Sequence, residues 1–347
     1  MHEPPAADAD EVEAIEPDTA HDHGTRILID GSLAITVGLL SVLQSRINGE
    51  LALRVGNGLE AAMLSFGGGI LLIAVIVAVV PSARHGVGRL RAGLRPPRPS
   101  LRRWMLLGGI GGATFVASQG LVVPVTGVAL FTVAIVAGLT GNSLVADRLG
   151  VGPGGRRPVT GPRVVAAVIS VAGVAVAVSG ELGGDLTTGE AAWLLLALLA
   201  GGLVAIQQGL NGRVAVAAGS PLTAALVNFI VGFTALLLLG GLTDAIGGAG
   251  FTAPPAPWSE PLLWLGGPIG VAFVGIASWV VRGLGVLLFS LLTIIGQLGG
   301  GVLVDLVDPV PGGPAVIWQT WAAVGMAIAA GVLAFLGSRP ATGRMKM

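Results

Sequence analysis

Ten stretches of about twenty mostly apolar residues follow one another along the chain, at approximately 29–47, 59–81, 104–122, 124–146, 163–180, 190–211, 220–242, 262–281, 284–305 and 315–337. Each is long enough to cross the hydrocarbon core of a bilayer as a helix. In lipid the backbone must satisfy its own hydrogen bonds within a span, which leaves a bundle of transmembrane helices as the fold class. Composition agrees: 53% of residues are hydrophobic and 11% charged, against about 25% charged in a soluble domain. Pro96, Pro97 and Pro99, and later Pro254, Pro255 and Pro257, mark loops between spans.

Cytoplasmic loops of membrane proteins retain Lys and Arg. With the N-terminus inside, all of the 19 basic residues except Arg46 and Arg54 fall on the cytoplasmic side, while Glu181, Asp185, Glu190, Asp244, Glu260 and Asp308 fall outside. Both termini are therefore expected in the cytoplasm. Residues 1–26 carry Glu3, Asp8, Asp10, Glu11, Glu13, Glu16, Asp18 and Asp22 among Pro and Ala without an apolar period, which predicts a solvated, disordered acidic tail. A short basic tail is expected at 339–347.

The spans repeat in sequence. Gln44, Asn48 and Gly49 recur 163 positions later as Gln207, Asn211 and Gly212, and the same offset pairs Ser65, Phe66 and Gly69 with Asn228, Phe229 and Gly232. An offset of 158 pairs Gly108, Gly112, Phe115, Gly127, Phe131, Gly138, Gly141 and Asp147 with Gly266, Gly270, Phe273, Gly285, Phe289, Gly296, Gly299 and Asp305. Two five-helix copies result, at 27–185 and 186–338. An odd number of spans per copy turns the second upside down, so ten transmembrane helices form two inverted repeats, an architecture recurrent in secondary transporters.

The Q-x-x-x-N-G closing the first span of each copy, the S/N-F-x-x-G of the second, and Gly296-Gln297-Leu298 leading to Asp305 resemble the YdcZ-like family of the drug/metabolite transporter superfamily, related to EamA-like transporters. The resemblance covers about 29–337. It implies an inner-membrane exporter of a prokaryote, found as single five-helix proteins or fused duplicates. In the first copy Leu139 stands where Gln297 stands in the second, with Asn142 nearby.

Polar groups inside hydrocarbon are costly and face the bundle interior by default. Gln44 and Gln207 lie one turn before Asn48 and Asn211, so each pair shares a helix face and lines a cavity together or serves as interhelical glue worth about 0.6 kcal/mol. Asn48 and Asn211, followed by glycine, are expected foremost as helix C-caps. Ser65, Gln119, Asn142, Asn228 and Gln297 are further lining candidates, with Phe66 and Phe229, along with Phe131, Phe289 and Trp279, as an apolar wall. Asp147 and Asp305 sit near opposite ends of related helices, as coupling sites for a proton or as solvated ends. Glu60 opens the second span, where the helix dipole favours negative charge. No acidic residue falls mid-span, which points to a neutral, zwitterionic or weakly charged organic solute. Glycine pairs such as Gly108 with Gly112 and Gly296 with Gly300 permit close helix approach and sliding.

Other functions are excluded by what the residues lack. Gly150 to Gly155 fits G-x-G-x-x-G but follows a span and contains Pro153, and no G-x-x-x-x-G-K-[ST] is present. No H-E-x-x-H or G-x-S-x-G occurs, and the histidines are His2, His21, His23 and His85, outside the spans. The chain is expected to be no enzyme and to use no cofactor or metal; without cysteine it offers no thiolate. Basic residues without interleaved aromatics argue against nucleic acid. The implied partners are a small-molecule substrate, the lipid bilayer and a proton as coupling ion; a homo-oligomer is compatible with the bundle. Competing readings are a lipid-handling or scaffold protein with an apolar groove, and a passive channel.

Overall fold

Glycine and proline set the helix boundaries in the structure, a computed structural model that describes residues 19–95, 101–156, 158–181, 188–245, 247, 252–310 and 316–336. The helices are α1 (Thr19–Val55), α2 (Gly58–Val79), α3 (Pro81–Gly93), α4 (Gly109–Leu149), α5 (Gly161–Glu181), α6 (Thr188–Ala218), α7 (Pro221–Ala245), α8 (Gly266–Val307) and α9 (Trp318–Leu336). No strand occurs among the described residues. Most of the acidic tail and all of 339–347 lie outside them, but α1 reaches back to Thr19 and so takes in the end of the stretch whose composition reads as a tail.

At 1.5 Å per residue the 41 residues of α4 would extend about 60 Å, twice the hydrocarbon thickness. The helix is not straight. Gly127 adopts φ 72°, ψ 173°, a left-handed backbone state open to glycine, and the chain doubles back there. Along the arm before it, Gly111 meets Leu203 and Gln207 and, just ahead of the arm, Gly108 meets Asn211 and Leu210; along the arm after it, Gly138 meets Leu198 and Asn142 meets Gly202. Numbering therefore runs against α6 in one arm and with it in the other. In the same way Gly266 and Gly270 of α8 meet Asn48 and Gln44, whereas Gly296 and Gly300 meet Ile35 and Leu39. Each long helix crosses twice. With α1, α2, α5, α6, α7 and α9 this makes ten spans, and five of the helices are long and apolar enough to be recognised as spans on length and composition alone.

The two copies are interleaved. α1 of the first packs against α8 of the second, α6 of the second against α4 of the first, and α2 pairs with α7 and α5 with α9. The pairing obeys a two-fold relation down to single atoms. A methyl group placed on Gly69 would strike the Phe229 ring, and one on Gly232 the Phe66 ring; one on Gly296 would strike the Ile35 carbonyl, and one on Gly138 the Leu198 carbonyl. These are the positions that the offsets of 163 and 158 equate, so each contact is made twice with the roles of the two copies exchanged. Small residues do the work because lipid removes the usual hydrophobic drive between helices, leaving close van der Waals packing to hold them.

α3 is a correction to the sequence reading, which has a loop from 82 to 103. Pro81 starts it at a position where its missing N–H costs nothing, Ala83, Gly86 and Leu90 are buried, and Arg89 donates to the Ala218 carbonyl at 2.7 Å. The arginine thus closes the C-terminal end of α6, where free carbonyls favour a cation.

Candidate functional site

Two clusters of amide side chains form where the first helix of one copy crosses the third of the other. In the first, Gln44 donates to the Gly266 carbonyl at 2.8 Å, Asn48 to Gln119 Oε1 at 2.6 Å, Gln119 to Ser45 Oγ at 2.9 Å, and Ser45 to the Ser41 carbonyl at 2.9 Å. Gln297 joins through Ser41 Oγ at 3.2 Å. Asn48 and Gln119 are wholly buried. Asn48 Oδ1 has no hydrogen-bond partner and lies against Gly266, as does Ser65 Oγ. In the second cluster Gln207 and Asn211 both donate to Asn228 Oδ1, at 2.9 and 3.1 Å, packed on Gly108 and Gly112.

Phe66 and Phe229 meet where α2 crosses α7, ring centroids 5.1 Å apart and planes tilted by 52°. Phe229 and Gln44 both reach Gly270, so the ring pair adjoins the first cluster, and Phe229 follows Asn228 of the second. The sequence candidates other than Asn142, Asp147 and Asp305 thereby fall in the two clusters and the ring pair that adjoins them. Asn142 stands apart, donating to the Gly202 carbonyl at 2.6 Å. Phe131 packs against Phe115 at 6.1 Å, and the side chain of Trp279 lies outside the described residues.

The C-cap expectation for Asn48 and Asn211 is overturned. α1 runs on to Val55 and α6 to Ala218, and the chain leaves the helical state at Gly56 and Gly219, with φ of 75° and 59°. The asparagines sit mid-helix because Gln119 and Asn228 supply partners that a local Asn-Gly motif does not reveal. Sequence reasoning also missed Ser41 and Ser45 as members of the first cluster. The signal was present: Ser41, Gln44, Ser45 and Asn48 fall at i, i+3, i+4 and i+7, one polar stripe on an apolar helix.

The two aspartates differ sharply. Asp305, half-buried near the end of α8, accepts the backbone N–H of Val128 at 2.9 Å and of Ala129 at 2.7 Å. Those amides open the second arm of α4 just after Gly127, where a helix start leaves donors without intrahelical partners. A carboxylate from the second copy therefore caps a helix of the first. Asp147, its sequence counterpart, pairs with Arg163 at 2.6 Å, with 32% of the aspartate side chain and 11% of the arginine side chain exposed. The pair is part-buried, and Asp147→Asn, which keeps an acceptor oxygen for Arg163, is expected to lower unfolding stability in detergent by about 1 kcal/mol, the net worth of one hydrogen bond.

The sequence matches the family described as "Putative inner membrane exporter, YdcZ" twice, over residues 31–176 and 192–334. The chain belongs to this family. The two matches fall on the two copies and together span most of the sequence, so this is a fused form of the YdcZ-like unit. Among solved structures, the crystal structure of another protein is 20% identical over 90% of this chain and 97% of that chain, with a TM-score of 0.51; that likeness concerns the fold alone. No curated protein matches the sequence. The YdcZ-like family is a transporter family and not an enzyme family, and it places the chain in the inner membrane.

Proposed function

We propose that the protein is a secondary transporter that exports a small neutral, zwitterionic or weakly charged organic solute by alternating access, with a proton or a counter-solute as driving partner and both termini in the cytoplasm. The observation that carries this reading is the duplicated contact of α2 with α7, Phe66 on Gly232 and Phe229 on Gly69. Because the same contact is made twice in opposite sense, any rocking of the copies that opens one side has a counterpart of similar energy opening the other. The amide clusters flank that contact, and rocking that parts the helices would expose Gln44 and Asn48 in one state and Gln207, Asn211 and Asn228 in the other. The cytoplasmic placement of the termini is supported by Arg89 and Arg213, which bond to the carbonyls of Ala218 and of Gly150 and Val151 on the side where basic residues collect.

Proteoliposomes loaded with a panel of neutral and weakly charged metabolites, assayed with and without a pH gradient, test the proposal. Saturable flux and counter-transport are expected, with Gln44→Ala and Gln207→Ala each lowering flux at least about tenfold while leaving the protein folded, the effect expected when a binding contact worth about 1.4 kcal/mol is lost. Unchanged flux in both variants would remove the amides from the pathway.

One observation favours a second reading, a lipid-handling protein. The amides are bonded to one another or to backbone, and the cavity between α2 and α7 is apolar. Release of acyl chains, without flux of water-soluble solutes, would select this reading.

A further inference from the structure

Seven carboxylates and no Lys or Arg lie between Glu3 and Asp18. This segment, residues 1–18, falls outside the described residues and joins the bundle at Thr19, the first residue of α1. α1 and α2 run in opposite directions on either side of the turn at Gly56, whose φ is 75°, and they pack together. The start of α1 and the end of α2 are therefore at the same end of the bundle. α3 follows α2 at once, from Pro81, so the acidic segment and α3 share that end.

α3 has two unlike faces. Its apolar side chains are turned inward: Ala83 and Val87 pack with residues of α2 and α7, and Leu90 packs with Val214 and Ala218 of α6 and Ala224 of α7. The other face is exposed and basic. Arg84 and Arg91 stand seven positions apart on one stripe of the helix, Arg95 continues the stripe just past its end, and Arg102 and Arg103 are exposed beyond it. A methyl group on Gly88, between Arg84 and Arg91, would meet nothing within 4 Å, so no described part of the bundle covers the stripe. None of these five arginines has an ionic partner among the described residues. Of the acidic residues at this end, Asp147 is held by Arg163 and Asp30 is buried.

We infer that the basic face of α3 is the docking site of the chain's own acidic N-terminal segment, residues 1–18, whose carboxylates accept hydrogen bonds from Arg84, Arg91 and Arg95. The reach is ample, since 18 residues extend to about 60 Å and a helix with its side chains is about 10 Å across. Covalent linkage sets the local concentration of the segment on the order of millimolar, so contacts that are weak singly hold it in sum. The anionic surface of a lipid leaflet is a poorer occupant. A helix that lies among headgroups sinks large apolar side chains into the lipid, and α3 has none at its exposed positions. The contact involves no residue of the amide clusters and holds whether or not the protein moves solute.

The chain has no cysteine, so Ala9→Cys and Ser82→Cys give one pair of sites for donor and acceptor dyes in the full-length protein, held in phosphatidylcholine nanodiscs. Ser82 is exposed at the start of α3, off the arginine stripe. Energy transfer is expected to be at least about twofold higher at about 0.1 M salt, where charges act over about 10 Å, than at about 1 M, where they act over about 3 Å. Arg84→Glu, Arg91→Glu and Arg95→Glu together should bring low-salt transfer down to the high-salt value. Changing the seven carboxylates of the segment to amides should do the same, and that variant alters no residue of the bundle, so it decides should the arginine variant not fold. Equal transfer at the two salt concentrations, or full transfer with the neutralised segment, would overturn the inference. Loss of transfer when phosphatidylglycerol replaces part of the phosphatidylcholine would assign the arginines to lipid headgroups and overturn it as well.

Discussion

Replacing Gly138 or Gly296 with valine is expected to abolish the folded bundle. A side chain at either position drives its first carbon into a backbone carbonyl, that of Leu198 or of Ile35. Overpacking usually costs about 1–3 kcal/mol because side chains swing aside, but a carbonyl inside a helix has no rotamer to change. The whole helix must back away, and with it the adjoining contacts Gly201 on Ile135 and Gly38 on Thr293. The loss should therefore exceed about 3 kcal/mol, at the upper end of that range, and appear as loss of the monodisperse peak in detergent size exclusion and a collapsed melting temperature. Gly141 and Gly299 provide the control. They are likewise equated by the repeat, yet a methyl group there meets nothing within 4 Å, so alanine at either should leave stability unchanged or slightly raised. Wild-type melting in Gly138→Val would show that α4 and α6 do not approach as described.

The second large effect is expected from Asp305→Ala. Removal of a helix N-cap costs about 0.5–2 kcal/mol, and a buried donor left without an acceptor about 1–3 kcal/mol. Two amides lose their partner here at once, giving an expected loss of about 2–4 kcal/mol on those scales. Asp305→Asn, which keeps one acceptor oxygen, should fall between. Hydrogen exchange provides the decisive readout, because the Val128 and Ala129 amides should exchange much faster in the alanine variant while amides near Asp147 do not change. An unaltered exchange rate at both amides would disprove the capping role. The contrast with Asp147, whose replacement by asparagine should cost less, follows from partner type and not from residue identity.

Much of the fold was legible because it is written in one dimension. Twenty-residue apolar runs, the bias of Arg toward one side, and matched residues such as Phe66 and Phe229 at a constant offset require no knowledge of distant contacts, and they predict ten spans in two inverted copies. Boundaries were harder. Pro124 invites a break between the third and fourth spans, since it lacks the N–H that would bond one turn back. The chain nevertheless stays helical through it and turns at Gly127, because the reversal needs a positive φ and proline cannot supply one. α3 was hidden by its arginines, although Ala83, Gly86 and Leu90 fall on one face.

The candidate site was legible in its residue types and not in its connections. Gln44, Asn48, Gln207 and Asn228 stand out as polar groups in apolar runs, but which of them meet depends on partners up to 222 positions away, as for Gln44 and the Gly266 carbonyl. Asn48 and Asn211 were misread for this reason: a short-range motif competed with a long-range hydrogen bond, and the long-range bond prevailed. Asp305 and Val128 are 177 positions apart, beyond any local pattern.

The interleaving of the copies also governs how they diverge. Because α1 rests on α8 and α6 on α4, a residue altered in one half meets its packing partner in the other half. Where a couple has lapsed, the twin faces of the molecule cease to be interchangeable. Gln119 grips Asn48 at one face, while at the other the equivalent place is held by Ala277 and Asn211 turns to Asn228 instead. A chain with an exact two-fold relation would present the same chemistry to both sides of the bilayer, and this broken couple makes the two sides distinct.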